Sequence, residues 1–206
     1  MTQLTGLLRC LRAAACSLAL ASLPWIAVGA SAQQIQIETA GRGELITVTA
    51  TADMAVELLT AWNAISDYDH LAEFIPDMSS SRVVQREGDK VLVDQAGQFS
   101  FLFFRQPVDV KMEVTETPPR RIVARAVGGN LKEFEGRYAL EHVPGGGVRL
   151  TYSGRLVPDF PVPPVIGPIV VRNMLAKQFT ALVTEIMRRD ALAKGVDPVP
   201  ARSPNP

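Results

Sequence analysis

The sequence predicts an α+β fold in which a curved antiparallel sheet wraps around a long C-terminal helix, with two short helices after the first strand. Three observations carry that expectation. Most of the chain between Glu44 and Arg155 alternates apolar and polar residues with period two, the mark of half-buried strands. The segments between residues 53 and 76 have helical spacing instead. From Ile169 to Arg189 apolar residues recur at helical intervals over a stretch long enough to cover one face of a sheet.

The first 32 residues read as a secretory signal peptide. Arg9 and Arg12, with no acid among them, precede an apolar run from Ala13 to Val28 that closes on Ala30-Ser31-Ala32. Charged region, apolar region and small-residue cleavage site thus stand in order, with cleavage expected before Gln33 and export to the periplasm. A membrane anchor is the competing reading, but the run is short for a roughly 20-residue span and Pro24 interrupts it. A lipoprotein fits less well, since Ala13-Ala14-Ala15 before Cys16 offers no leucine.

Both cysteines, Cys10 and Cys16, fall in this segment. The remaining chain therefore has no disulfide, thiolate nucleophile or cysteine-ligated metal. Without Arg9 and Arg12, the basic residues number two fewer than the 21 acidic ones, a balance that argues against nucleic acid as a partner.

Residues 33–43 are polar and glycine-flanked and read as a lead-in to a domain spanning 44–190. Ile46, Val48 and Ala50 alternate with threonines as the first strand. Asp53 is placed to cap a helix from about Ala55 to Ile65, with Val56, Leu59 and Trp62 or Asn63 at helical spacing. Ser66 and Asp67 open a short helix through Tyr68, Leu71 and Phe74 that Pro76 stops. Arg82–Arg86 and Lys90–Gln95 flank the hairpin turn Glu87-Gly88-Asp89.

Val108, Val110, Met112 and Val114 then alternate with Asp109, Lys111, Glu113 and Thr115, and Pro118-Pro119 ends that run. After Arg121–Val127 and a glycine turn, Phe134, Gly136, Tyr138 and Leu140 share one face while Glu133, Glu135, Arg137 and Glu141 share the other. Val148, Leu150, Tyr152 and Leu156 lie opposite Arg149, Thr151, Ser153 and Arg155. Each strand has one dry face, so the sheet is expected to be antiparallel and covered on one side. On the last helix Val171, Leu175, Gln178, Leu182 and Glu185 form one stripe, with Met174, Phe179, Val183 and Ile186 beside it. Residues 191–206 are rich in proline and small residues and are expected to be a disordered tail.

Two apolar features exceed what this scheme needs. Phe99-Ser100-Phe101-Leu102-Phe103-Phe104 holds four of the eight phenylalanines. Alternation places Phe99, Phe101 and Phe103 on one face and Leu102 and Phe104 on the other, and a sheet covered on one side has no place for both sets. The stretch is a core strand, a loop rimming a cavity, or a patch facing a membrane or partner. The linker 158–168 has five prolines together with Phe160, Val162, Val165 and Ile166. It either stiffens a connection or forms a rigid apolar lid beside the phenylalanines.

The order of elements is the helix-grip arrangement, and specific residues sharpen it. Ala61-Trp62-Asn63-Ala64-Ile65-Ser66-Asp67-Tyr68, Leu71, Phe74-Ile75-Pro76 and Ser81-Arg82-Val83 resemble the opening signature of the polyketide cyclase/dehydrase and lipid-transport family. That family lies within the START-like (SRPBCC) superfamily and includes the coenzyme Q-binding proteins. Pro118-Pro119-Arg120-Arg121-Ile122, Phe134-Glu135-Gly136-Arg137-Tyr138 and the proline-rich approach to the last helix are similar in order and spacing. The resemblance spans Val48 to Arg189.

It implies a cup between sheet and helix that binds a lipid, isoprenoid or polyketide-like molecule, with no metal or other cofactor. Val110, Met112, Phe134, Tyr138, Tyr152, Met174, Gln178 and Leu182 are expected to line the cup. Phe99, Phe101, Phe103, Phe160, Val162 and Ile166 are expected at its mouth or at a peripheral membrane contact.

Catalytic constellations are thin. His70 and His142 stand in unrelated contexts, and Asp67 and Asp69 are explained as helix-start residues. No phosphate loop, nucleophile elbow or zinc motif is present, so no catalytic residue is assigned. Two other classes stay open: a cyclase or dehydratase in which Tyr138, Tyr152 or Gln178 polarises a carbonyl, and an envelope-associated interaction module.

Overall fold

The structure, a computed structural model, describes residues 35–101, 104–160 and 166–196. Eight strands form one antiparallel sheet: β1 (Ile35–Arg42), β2 (Leu45–Met54), β3 (Met78–Glu87), β4 (Lys90–Phe101), β5 (Phe104–Thr117), β6 (Arg121–Gly129), β7 (Leu131–His142) and β8 (Val148–Pro158). Their spatial order is β1-β2-β8-β7-β6-β5-β4-β3. Helix α1 (Leu58–Ile65), a single 3₁₀ turn at Tyr68–His70 and α2 (Leu71–Phe74) join β2 to β3, and α3 (Ile166–Ala193) follows β8.

Strand parity builds the core. In β2 the side chains of Ile46, Val48, Ala50, Ala52 and Met54 are buried while Thr47, Thr49 and Asp53 face out. Register shifts between β3 and β4, β5 and β6, and β7 and β8 bend the strands, and the sheet curls around α3. Helix α3 presents Val171, Leu175, Phe179, Leu182, Val183 and Ile186 to it, with Phe179 1% and Ile186 0% exposed.

The C-terminal half of α3 is tied to the short helices by charge. Asp190, 5% exposed, accepts the Glu57 N–H at 3.0 Å and the Lys194 ammonium at 2.6 Å. Glu185 accepts from Arg188 and Arg189 at 2.7 Å, and Arg189 also donates to Asp67 at 2.9 Å while lying 5.5 Å from the centre of the Phe74 ring. Asp190 thereby serves the amide at the start of α1 that no local side chain caps.

Five expectations need correction. The lead-in is strand β1, paired with β2 from Ile35↔Ala52 to Arg42↔Leu45. Its polar composition reflects an edge strand on which Ile35 and Ile37 alone pack against the core. Asp53 is no helix cap: it sits in β2, where Arg149 on β8 grips its carboxylate at 2.6 and 2.7 Å, and α1 starts later, at Leu58. Leu59 is 63% exposed, and Ala61, Trp62 and Ile65 form the buried face of α1. Asp67 makes no capping bond and instead joins His70 and Arg189.

Finally, α3 runs to Ala193, so the boundary expected at residue 190 falls inside a helix. The signal segment and residues 197–206 lie outside the described residues.

Candidate functional site

Between the concave face of the sheet and α3 lies a cavity of about 230 Å³. Inward parity on three strands supplies Val110 and Met112 from β5, Phe134 and Tyr138 from β7, and Tyr152 from β8. Met174, Gln178 and Leu182, spaced four residues apart, come from one face of α3. All eight residues expected to line a cup border this one cavity.

The mouth residues divide differently. Phe99 is 8% exposed and borders the cavity, its ring centre 6.0 Å from that of Phe160 at 59°. Within the phenylalanine run β4 and β5 pair as far as Phe101↔Phe104, and Phe99 packs inward against Phe160 of the linker. Ile166 is the first residue of α3 and is exposed. The side chains of Phe101, Phe103 and Val162 lie outside those described.

Gln178 finds its partner within the protein. Its side-chain amide donates to the Pro76 carbonyl at 3.2 Å, pinning α3 to the segment after α2.

Tyr138 and Tyr152 are cross-strand partners with ring centres 4.8 Å apart, tilted by 45°. A second cross-strand pair, Gly136 and Gly154, makes room for them. A Cβ on Gly154 would stand 2.6 Å from the Tyr152 hydroxyl, and one on Gly136 would stand 3.2 Å from it. The absence of side chains at these two positions lets the Tyr152 phenol lie back along the sheet. Among the described residues neither hydroxyl has a hydrogen-bond partner. Burial pushes the Tyr138 phenol up to about 12 and drives the Tyr152 phenol higher still, with Tyr138 adding to the effect. Tyr138 is only half-buried by accessibility because part of its ring faces the cavity. Both are neutral donors at physiological pH.

Sequence reasoning missed Tyr68 and Glu116. Tyr68, in the 3₁₀ turn, borders the cavity. Glu116 is 8% exposed on the inner face of β5, and its Oε2 accepts from Arg86 at 2.9 Å. Its Oε1 and the Tyr68 hydroxyl face one another without meeting hydrogen-bond geometry, and neither has another partner. Burial first, and the Glu116 charge second, push the Tyr68 phenol upward. The signal was in the period: Glu116 continues the inward series Val110, Met112, Val114, a carboxylate at a dry position.

Asp77 is the single residue of charged type among the described lining residues. His70 is exposed and bonded to Asp67 at 2.6 Å, and neither it nor His142 borders the cavity. Among the described residues, no three His, Cys, Asp or Glu side chains gather as a metal site would require. What the walls offer is apolar surface with a few neutral hydrogen-bonding groups, an environment that favours an uncharged apolar guest.

The family described as "Polyketide cyclase / dehydrase and lipid transport" matches residues 54–183, more than half of the chain. No curated protein matches the sequence. Among solved structures, a STAR-related lipid transfer protein fragment from Xanthomonas axonopodis superposes with a TM-score of 0.63 at 14% identity, covering 76% of this chain and 98% of that one. The Zhui aromatase/cyclase from Streptomyces sp. R1128 superposes with a TM-score of 0.62 at 14% identity, covering 74% of this chain and 99% of that one. A START superfamily protein from Mycobacterium smegmatis gives 0.60 at 15%, covering 69% and 97%. At such identities the likeness is one of fold, and the helix-grip arrangement is common to all. Sequence match and fold together place this chain in the polyketide cyclase/dehydrase and lipid transport family.

Proposed function

We propose that this protein binds a hydrophobic small molecule in the cavity beneath α3 and carries it within the periplasm. The observation that carries the reading is the cavity itself: about 230 Å³ of space walled by aliphatic and aromatic side chains from β5, β7, β8 and α3. Removing apolar surface from water stabilises a complex by about 25 cal/mol per Å², so such a guest needs few polar contacts to stay. Lipid transfer, the activity named for the Xanthomonas protein, fits this reading. The signal-like N-terminus supports export.

Native mass spectrometry of protein purified from its own periplasm tests the proposal. A single extractable apolar adduct is expected, on a chain beginning at Gln33. Protein that carries nothing and takes up no added lipid contradicts the carrier reading, and retention in the cytoplasm contradicts the location.

Peripheral membrane contact at the mouth is part of the proposal. Ile166 and Ile169 are 37% and 50% exposed on the first turn of α3, just beyond Phe160. Retention on liposomes that is lost on changing both to serine is the expected result. Wild-type protein that ignores liposomes contradicts it.

A further inference from the structure

We infer that Tyr138 and Tyr152 form a donor site inside the cavity for an uncharged oxygen acceptor on the guest, a carbonyl or ether-like oxygen rather than a carboxylate. This deepens the carrier reading and rests on it.

The pair stands out chemically from its surroundings. Phenylalanine at either position would fill the same space without a polar group. Both residues open on the cavity, so a guest that covers the phenols without offering an acceptor leaves them unpaired, at a cost of about 1–3 kcal/mol each, and one that offers an acceptor does not. Tyr152 is 8% exposed and both residues border the cavity. Their positions are fixed before any guest arrives: they face each other across β7 and β8, and the Gly136–Gly154 pair seats the Tyr152 phenol. Such preorganisation spares a guest the cost of ordering its partners.

The charge of the guest follows from what is missing around the spot. Among the described lining residues none is basic and Asp77 alone is acidic, while the Glu116 carboxylate beside Tyr68 is paired with Arg86 at 2.9 Å, which leaves that cation engaged. A carboxylate or phosphate would lose its hydration there without meeting a cation. A neutral oxygen loses less and gains a phenol donor. High phenol pKa values keep both protons in place at any physiological pH. Size narrows the class further. An apolar cavity of about 150 Å³ accepts benzene. The 230 Å³ here suits one substituted ring or a comparable chain segment, with any longer tail leaving through the mouth.

Acetophenone, isopropylbenzene and benzoate test the inference, because they share heavy-atom count and branching and differ in the group presented. Their dissociation constants for the purified protein would be measured by NMR titration. Acetophenone is expected to bind about three- to tenfold more tightly than isopropylbenzene, the range of one net hydrogen bond, and benzoate more weakly than either. In Tyr138→Phe and Tyr152→Phe the ratio of ketone to hydrocarbon affinity falls toward one, with thermal unfolding confirming that each variant is folded. A wild-type ratio near one, a ratio that survives both variants, or a preference for benzoate overturns the donor site while leaving the carrier reading intact. Binding of none of the three overturns the carrier reading and the donor site with it.

Discussion

Replacing Gly154 with alanine tests how the cavity wall is made. The added Cβ would stand 2.6 Å from the Tyr152 hydroxyl, 3.0 Å from Cζ and 3.1 Å from Cε1. Contacts this short cannot be held, so the phenol must tilt. The sheet lies beneath it and the Tyr138 ring is 4.8 Å away on one side, which leaves the cavity as its way out. Overpacking of this kind costs about 1–3 kcal/mol. The displaced ring also intrudes on a space of only about 230 Å³.

Urea unfolding is therefore expected to show a loss of about 1–3 kcal/mol. Guest affinity is expected to fall about tenfold or more, since about 1.4 kcal/mol of steric cost suffices for a factor of ten. The double variant Gly154→Ala/Tyr152→Phe removes the 2.6 Å contact and retains the longer ones. Its destabilisation should then be smaller than the sum of the single changes, by about 0.5–3 kcal/mol. If Gly154→Ala is as stable as the parent and binds as tightly, the phenol does not lie over the glycine pair and the wall is built differently.

Other predictions rest on single features. Phe179 is 1% exposed and borders the cavity, so Phe179→Ala should cost about 3–5 kcal/mol in thermal unfolding. The same change should enlarge the cavity and shift preference toward bulkier guests; unaltered stability would contradict the placement of α3. Glu116→Gln should cost less than about 1 kcal/mol, because a side-chain amide can donate to the Tyr68 hydroxyl while its oxygen keeps Arg86. Glu116→Ala should cost about 1–3 kcal/mol, and equal losses for the two would show that the Arg86 ion pair alone matters.

Hydrogen bonding to Asp67, with its charge, raises the His70 pKa above its usual value. The stability this pair gives is complete below about pH 6.5 and is lost as pH rises through the higher folded value. His70→Asn should flatten unfolding curves in that window, and an unaltered profile would contradict the link. The carboxyl of Asp67 behaves in the opposite sense. Partial burial raises it, but hydrogen bonds from His70 and Arg189 outweigh burial and hold it below the usual value. Its contribution is present above about pH 4 and fades as acid protonates it.

Period-two alternation made the inner face of the sheet legible, because a strand covered on one side must separate its apolar and polar residues. That is why Val110, Met112, Phe134, Tyr138 and Tyr152 were legible as one wall. The four-residue spacing of Met174, Gln178 and Leu182 did the same for α3. Strand β1 was hidden because an edge strand buries little, and Ile35 and Ile37 alone are a weak signal. Asp53 misled because an acid before an apolar run fits a helix cap as well as a cross-strand partner, and only the pairing with β8 brings Arg149 to it.

Gln178 was legible as inward-facing but not as bonded to Pro76, a contact between segments 102 residues apart. The anchoring of α3 through Asp190 to Glu57 and through Arg189 to Asp67 depends on such distant contacts too. Local spacing does not carry them.

Methionine methyl groups test the central claim most directly. The chain has six methionines, and Met78, Met112 and Met174 border the cavity while Met54 is buried away from it and Met187 is exposed at the flank of α3's buried stripe. With ¹³C-methyl labelling, titration of a neutral apolar guest is expected to shift the signals of Met78, Met112 and Met174 and to leave those of Met54 and Met187 nearly still. Shifts confined to Met187, or none in the three cavity methyls while the guest binds, would contradict a guest held between the sheet and α3.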